Sequence, residues 1–281
     1  MPEGPELRHS RDVLSSILVG KKIIKFEPTT VGRYSKASPI GLADVMNDVP
    51  FLVESVDTKG KFMWWTLQSA TGKKWYIHCT YGMSGGWFRN HSNHTAFVVE
   101  FSGSGVPITR DTQMLFFNDM RHFGTIKFIS SEKEHTKKLG TLGPCLFDTD
   151  LTPEVFAKRI LRKPNRTIAE ALMDQNNVAG VGNYLKAEAL FRSGISPWRN
   201  VTDISVNEYV LLFKVVTNAA VDSYNSQGAT LKTYKTVDGS TGRGQFTFMI
   251  YGKKQCPDGH QTLHEETPEG RTSWWCRVCQ K

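Results

Sequence analysis

Met1-Pro2-Glu3-Gly4-Pro5-Glu6 opens the chain, and the rest of the chain is organised around this stretch. Removal of Met1 leaves a secondary amine on Pro2 with a carboxylic acid next to it. A terminal amine titrates near ~8, far below a lysine, so part of it is unprotonated at neutral pH and able to attack an electrophilic carbon. Pro2 fixes its own φ and Pro5 restrains Gly4, so the six residues read as a stiff turn. The plain alternative is a frayed terminus, as most termini are. From Glu6 the apolar positions Val13, Leu14, Ile17 and Leu18 follow helical spacing up to Gly20. That helix starts directly after the amine and brings partial positive charge close to Pro2 and Glu3.

Beyond Gly20 the pattern changes to short β-rich runs near 22–27, 51–57, 62–67, 74–78, 95–101, 113–118 and 125–130, parted by Gly, Ser, Asn and Pro clusters. Seven short strands without helical crossovers imply a two-sheet β-sandwich with a leading helix. Three loops stand out. Lys59-Gly60-Lys61 reads as a tight basic hairpin turn, a setting in which a lysine is usually just solvated. Met83 sits on the glycine-rich loop 81–86, although methionine more often fills cores. In Asn118 to Gly124, Arg121 and Phe123 face one way if the segment is extended, which suits a wedge for a base stack as well as it suits an ordinary loop.

The second half is helical. Thr152-Pro153 starts a helix reaching about Arg162, and Thr167-Ile168-Ala169-Glu170 is a capping box opening a short helix to Gln175. After the glycine loop 176–182, helical spacing resumes from Asn183 and stops before Gly194. Backbone N–H groups there, with the Asn183 amide, suit a phosphate oxygen; a nucleotide-binding glycine loop would need a preceding strand, and none is visible. Ser205 caps a further helix to about Tyr224. Gly228 to Lys254 is a basic, glycine-bearing loop.

The tail carries the sharpest single signal. Cys256-x3-His260, fifteen intervening residues, then Cys276-x2-Cys279 fits one tetrahedral zinc with four protein ligands, hence a structural ion. His264 could replace His260 at a less usual spacing. Residues 265–275 between the ligand pairs read as a β-hairpin that places Arg271 for a phosphate. The 281 residues carry a net charge of +8 and a pI near 9.2, which points to a polyanionic partner. No apolar run approaches the ~18–20 residues that cross a membrane, and the N-terminus lacks a signal pattern. Five cysteines, three of them in the last 26 residues, argue for a metal site in a reducing compartment rather than a disulfide framework.

Taken in order, Met1 to Glu6, Lys59 to Lys61, Gly82 to Gly85, Asp119 to Gly124, Leu142 to Pro144, Leu172 to Glu188 and the terminal finger resemble the formamidopyrimidine-DNA glycosylase/endonuclease VIII family of base-excision repair enzymes, along essentially the whole chain. The Cys-His-Cys-Cys finger is similar to that of the endonuclease VIII-like branch, whereas Thr230-Leu231 and Asp238-Gly239 look more like the oxidised-purine branch. The resemblance implies three parts: a catalytic β-sandwich over 1–148, a helix–two-turn–helix DNA-binding domain over 149–250 and a zinc finger over 251–281. It also implies a monomeric bifunctional glycosylase and abasic-site lyase, intracellular with the DNA (in the nucleus if eukaryotic, in the host cell if viral), acting on damaged duplex or single-stranded DNA. The expected lesions are oxidised pyrimidines, with oxidised purines as the alternative and a non-catalytic DNA-binding protein as the rival from another class. In the implied roles, Pro2 attacks C1′, Glu3 protonates the opened sugar, Glu6 supports that geometry and Lys61 binds phosphate or assists. Met83, Arg121 and Phe123 fill the gap left by an extruded base, and Asn183 and Arg271 grip phosphates. The family often has a second Arg where this chain has His122.

Overall fold

The computed structural model describes residues 2–102, 112–229, 235–239 and 246–281. The chain folds as two units: Met1–Pro2, Glu6–Gly140 and Thr230–Arg243 form one, and Glu3–Pro5, Thr141–Ala229 and Gly244–Lys281 the other.

In the first unit, helix α1 (Gly4–Leu18) forms where the apolar spacing placed it, burying Leu7, Leu14, Ile17 and Leu18. Eight strands follow: β1 (Lys22–Pro28), β2 (Phe51–Lys59), β3 (Phe62–Ser69), β4 (Lys74–Thr80), β5 (Gly85–Phe88), β6 (Thr95–Ser102), β7 (Thr112–Asp119) and β8 (Thr125–Ile129). They pair antiparallel in the order β5-β7-β6-β1-β2-β3-β4-β8. Laid flat, β5 and β3 would lie five strand spacings, roughly 24 Å, apart. Yet the rings of Trp87 on β5 and Trp65 on β3 are 4.8 Å apart, and Phe128 on β8 meets Phe26 on β1 at 5.0 Å. The sheet therefore doubles over into the two layers of a sandwich. Register shifts at Ile23/Lys25, Val53/Ser55 and Thr95/Phe97 are β-bulges, which bend and twist the strands that carry them.

Seven of these strands coincide with the alternating runs in the sequence. The eighth, β5, is short and begins Gly-Gly, so it reads as loop. It forms because Gly85 can approach the Tyr81 carbonyl so closely that a Cβ there would lie 2.4 Å from its oxygen. Strand β4 is buried on both faces, because a helix the periodicity did not reveal, α3 (Glu132–Gly140), covers its outer side. There His135 stacks on Tyr76 at 4.0 Å, and its Nδ1 is 2.9 Å from Nε2 of His78. Burial, and then the neighbouring His135, push the His78 imidazole down to about 4, so at neutral pH it is an uncharged core residue. The short helix α2 (Leu42–Met46) also lay outside the sequence expectation.

The second unit follows its caps. Thr152 accepts from Val155 N with Pro153 in the first turn of α4 (Pro153–Ile160). Thr167 and Glu170 close the capping box of α5 (Ile168–Met173), and Ser205 and Glu208 that of α7 (Val206–Asn225). Arg199 grips the Glu208 carboxylate with both nitrogens, at 2.5 and 3.1 Å, and so holds it down to about 2. Between these lies α6 (Asn183–Arg192), with eight of its ten residues buried. Residues 251–281 belong to this unit: Gln280 Nε2 donates to Ile195 O, and Lys281 pairs through its backbone with Gly194 and Ser196. Among the described residues no helix is long and apolar enough to cross a membrane.

Candidate active site, nucleic-acid interface and metal centre

The glycine loop between α5 and α6 is built by its own polar residues. Gln175 Oε1 accepts from Gly180 N while Gln175 Nε2 donates to Val181 O. Asn177 Nδ2 reaches back to Ala171 O. Gly180 sits at φ 107, where a side chain is strained. Its carbonyl accepts from Gly4 N at 2.9 Å, which ties the N-terminal segment to the loop.

That tie delivers Glu3 to the start of α6. The Glu3 carboxylate accepts from Gly182 N at 2.8 Å, Tyr184 N at 2.9 Å and Leu185 N at 3.2 Å, and the residue is 1 % exposed. The N–H groups that the sequence assigns to a phosphate oxygen are thus occupied by the chain's own acid. The physical reason is the one that suits phosphate, namely unpaired donors at the positive end of a helix. Gly182 is required by contact rather than by φ, because a Cβ there would lie 2.2 Å from Glu3 Cδ. Pro2 is buried too, and the stiff turn expected over the opening residues is instead the start of a helix, because α1 already begins at Gly4. Glu6, buried, lies in the first turn of α1.

Lys61 occupies the two-residue turn between β2 and β3, made possible by Gly60 at φ 59 and closed by the Lys59–Phe62 pair. The loop after β7 is a tight turn, so the condition of an extended segment is not met. Asp119, buried, gathers it: its carboxylate accepts from Ser84 Oγ at 2.7 Å, Arg121 N at 3.2 Å and Gly124 N at 2.6 Å. His122 adopts the left-handed φ of 58 that the tight turn needs. The turn still brings together residues singled out from sequence, since Arg121 Nη1 lies 3.3 Å from Met83 Sδ, and Phe123 stands 56 % exposed beside them. His122 points inward, with Nδ1 buried. In the second unit, Asn183 Nδ2 donates to Thr272 O at 2.8 Å, while Arg271 is exposed at the start of β10 (Arg271–Trp275), paired with β9 (Leu263–Thr267). Thr230-Leu231 lies outside the described residues.

Cys256, His260, Cys276 and Cys279 bring their ligand atoms within 4.8 Å of one another. A zinc ion bonded at about 2.3 Å to sulfur and 2.0 Å to nitrogen separates tetrahedral donors by roughly 3.5–3.8 Å. The measured separations are 3.6 Å for Cys256–His260, 3.9 Å for Cys256–Cys279, 3.3 Å for His260–Cys279 and 3.5 Å for Cys276–Cys279. The set fits one structural zinc, with His260 rather than His264 as the nitrogen donor. His264 instead packs against Trp274 at 5.1 Å. Chelation is expected to melt the 255–281 finger while the β-sandwich stays folded. Near-ultraviolet dichroism of the finger tryptophans Trp274 and Trp275, set beside amide exchange of β1–β8, checks this; loss of protection in both regions together contradicts it.

Sequence reasoning missed two residues of α6 that organise this region. Glu188, fully buried, accepts from the N–H groups of Met249, Ile250 and Tyr251. Lys186, also fully buried, pairs with Glu269 at 2.5 Å. Charged residues on a helix are rarely interior, so neither stands out in sequence; the sole cue is that Asn183 to Arg192 has apolar residues on every side.

Residues 1–126 match the formamidopyrimidine-DNA glycosylase N-terminal domain, and residues 142–234 the formamidopyrimidine-DNA glycosylase H2TH domain. The formamidopyrimidine-DNA glycosylase of Bacillus cereus (strain ATCC 14579) is 29 % identical over 292 residues, covering 100 % of this chain and 99 % of that protein. That of Wolbachia pipientis wMel is 28 % identical, with both chains covered completely. Among solved structures, the MutM (FPG) protein of Thermus thermophilus superposes with a TM-score of 0.81 at 25 % identity, over 99 % of this chain and 98 % of that one. A Lactococcus lactis FPG variant in complex with Fapy-dG-containing DNA gives 0.84 at 24 % over both full chains, a likeness of fold. These relatives do not single out the endonuclease VIII-like branch that His260 suggested. With both domains matched in order and the relatives covered end to end, the chain belongs to the formamidopyrimidine-DNA glycosylase family.

Proposed function

We propose that this chain is a bifunctional DNA glycosylase and abasic-site lyase of base-excision repair, working as a monomer inside the cell on oxidised purines. The observation that carries the reading is the ordered N-terminus, where Glu3 is held by three backbone N–H groups and Pro2 beside it is buried. A nucleophilic terminal amine is useful only if its position is fixed, since misplacement by ~1 Å can cost about 100-fold.

In the reaction, Met1 having been removed, the Pro2 nitrogen bonds to C1′ of the damaged nucleotide as the bond to the base breaks. Glu3 protonates the sugar oxygen, the ring opens, and an iminium joins Pro2 to C1′. The iminium acidifies the C2′ proton. Its removal expels the 3′ phosphate in β-elimination, and a second elimination expels the 5′ phosphate; hydrolysis then returns the free amine. Glu6 and Lys61 support the acid and a phosphate, respectively. Met83, Arg121 and Phe123 enter the gap left by the extruded base, partly offsetting a flipping cost of a few kcal/mol. Asn183 and Arg271 hold phosphates. The zinc orders the hairpin that carries Arg271 and takes no part in the chemistry. Domain limits at 148 and 250 accompany this assignment of roles.

For the lesion, relatives that cover the whole chain are named for formamidopyrimidine, and solved family members hold Fapy-dG or carbocyclic 8-oxo-G in DNA. Excision of Fapy-guanine and 8-oxoguanine from duplex DNA is expected to exceed that of 5-hydroxyuracil and thymine glycol by about 10-fold or more in kcat/KM, the scale that a few site-specific hydrogen bonds supply. The second reading, oxidised pyrimidines by an endonuclease VIII-like enzyme, draws on His260 in the finger. The reverse order of rates in the same four-lesion panel establishes it, and equal rates refute both preferences.

A further inference from the structure

One face of α6 carries Asn183 and, three residues on, Lys186, so the two side chains are neighbours along the helix. Both reach the zinc-held hairpin. Asn183 Nδ2 donates to Thr272 O at 2.8 Å. The Lys186 ammonium, with no exposed side-chain surface, lies 2.5 Å from Glu269 Oε1 in the turn between β9 and β10. The Thr267 hydroxyl stands 2.7 Å from that same carboxylate oxygen and 2.7 Å from Arg271 O, bridging the turn to the first residue of β10. Arg271 is thus bracketed, with Glu269 clamped on one side and Thr272 on the other, while its own side chain is exposed.

A buried ion pair is a poor device for stability, since well-packed apolar residues usually replace it at no loss. What it does provide is directional specificity, because an apolar contact tolerates a hairpin that slides or tilts and a buried ammonium does not. The cost of burial is real here: desolvation draws the Lys186 pKa downward, with the paired Glu269 carboxylate opposing that shift. The backbone of the same helix start holds Glu3 through Gly182, Tyr184 and Leu185. We propose that Lys186 is a positioning residue that, through Glu269, fixes the DNA-phosphate grip of Arg271 in register with the Glu3 acid on a single rigid helix. This rests on the reading of Arg271 as a phosphate ligand.

The test is the salt dependence of Kd for a duplex holding a stable abasic-site analogue. Losing one phosphate contact flattens the slope of log K against log salt by about 0.9. Arg271→Ala is expected to show that loss. Lys186→Met is expected to show it as well, although a fully buried lysine contacts no DNA, together with roughly 10-fold weaker binding at physiological salt. Zinc content should remain one per chain, and the single-turnover lyase rate at saturating DNA should stay within about threefold of wild type. A merely structural role lowers Tm without changing the slope. Lys186→Met/Glu269→Leu, which removes both charges together, guards against misfolding of the single variant, and it too should keep the flattened slope. A wild-type slope in either lysine variant, with Arg271→Ala flattened, overturns the positioning role alone. An unchanged slope in Arg271→Ala overturns the phosphate reading and the proposal with it.

Discussion

Protein in which Pro2 stays acylated, through retained Met1 or an uncleavable N-terminal extension, is expected to give no borohydride-trapped adduct with abasic DNA and no measurable nicking. The argument is chemical before it is structural. An acylated Pro2 nitrogen is an amide, its lone pair delocalised into the carbonyl, so it neither attacks C1′ nor leads to an iminium. Without the iminium the C2′ proton is not acidified, so both eliminations stop at once. DNA binding should survive, since charge and finger are untouched. Pro2→Gly is the graded version: a primary amine replaces a secondary one and the fixed φ is lost. Trapping should persist while the single-turnover rate falls roughly 10- to 100-fold, each factor of ten being about 1.4 kcal/mol of barrier. Wild-type nicking by homogeneous Met1-retaining protein, verified by intact mass, removes the basis for the mechanism.

Gly182→Ala should be nearly as damaging, although the glycine carries no reactive group. The added methyl would lie 2.2 Å from Glu3 Cδ and 2.4 Å from Oε1, far inside contact, so either the carboxylate leaves its three N–H donors or the start of α6 shifts. Gly182 itself has φ −125, which alanine adopts without strain, so the helix should still form and Tm should fall by only a few degrees. Base excision in single turnover is expected to drop about 100-fold or more, the range that a positioned proton donor contributes. Glu3→Gln should show a comparable loss. Because both changes act on one group, the double variant should be no slower than Glu3→Gln alone. Losses that multiply would mean that Gly182 acts on something other than Glu3, and a wild-type rate in Gly182→Ala would mean that the Glu3 cradle is irrelevant to chemistry.

The correspondence between sequence and structure is uneven for identifiable reasons. The helix caps at Thr152, Thr167 and Ser205 and the strand runs were legible because each depends on residues within a few positions. The metal ligands were legible because zinc restricts both residue type and spacing. The path of the loop at 119–124 was not legible, because the buried Asp119 that folds it draws on Ser84, thirty-five residues away. Strand β5 and helix α3 were hidden for a similar reason: one is a glycine-rich strand that gains its order from Phe117 and Asp119 opposite, and the other a polar helix anchored by the stacking of His135 on Tyr76.

By itself the sequence determined an N-terminal proline followed by an acid, the alternation that makes a β-sandwich, the capped helices and a zinc finger, since each is written in local pattern or in a fixed ligand spacing. Only the tertiary structure decided that the donors at the head of α6 hold Glu3 instead of a phosphate, and that Lys186 and Glu188 are interior groups. An unpaired N–H at a helix start accepts any anion that reaches it. Which anion arrives is set by Gly4 meeting Gly180 across some 176 residues of chain, a contact that no local pattern encodes.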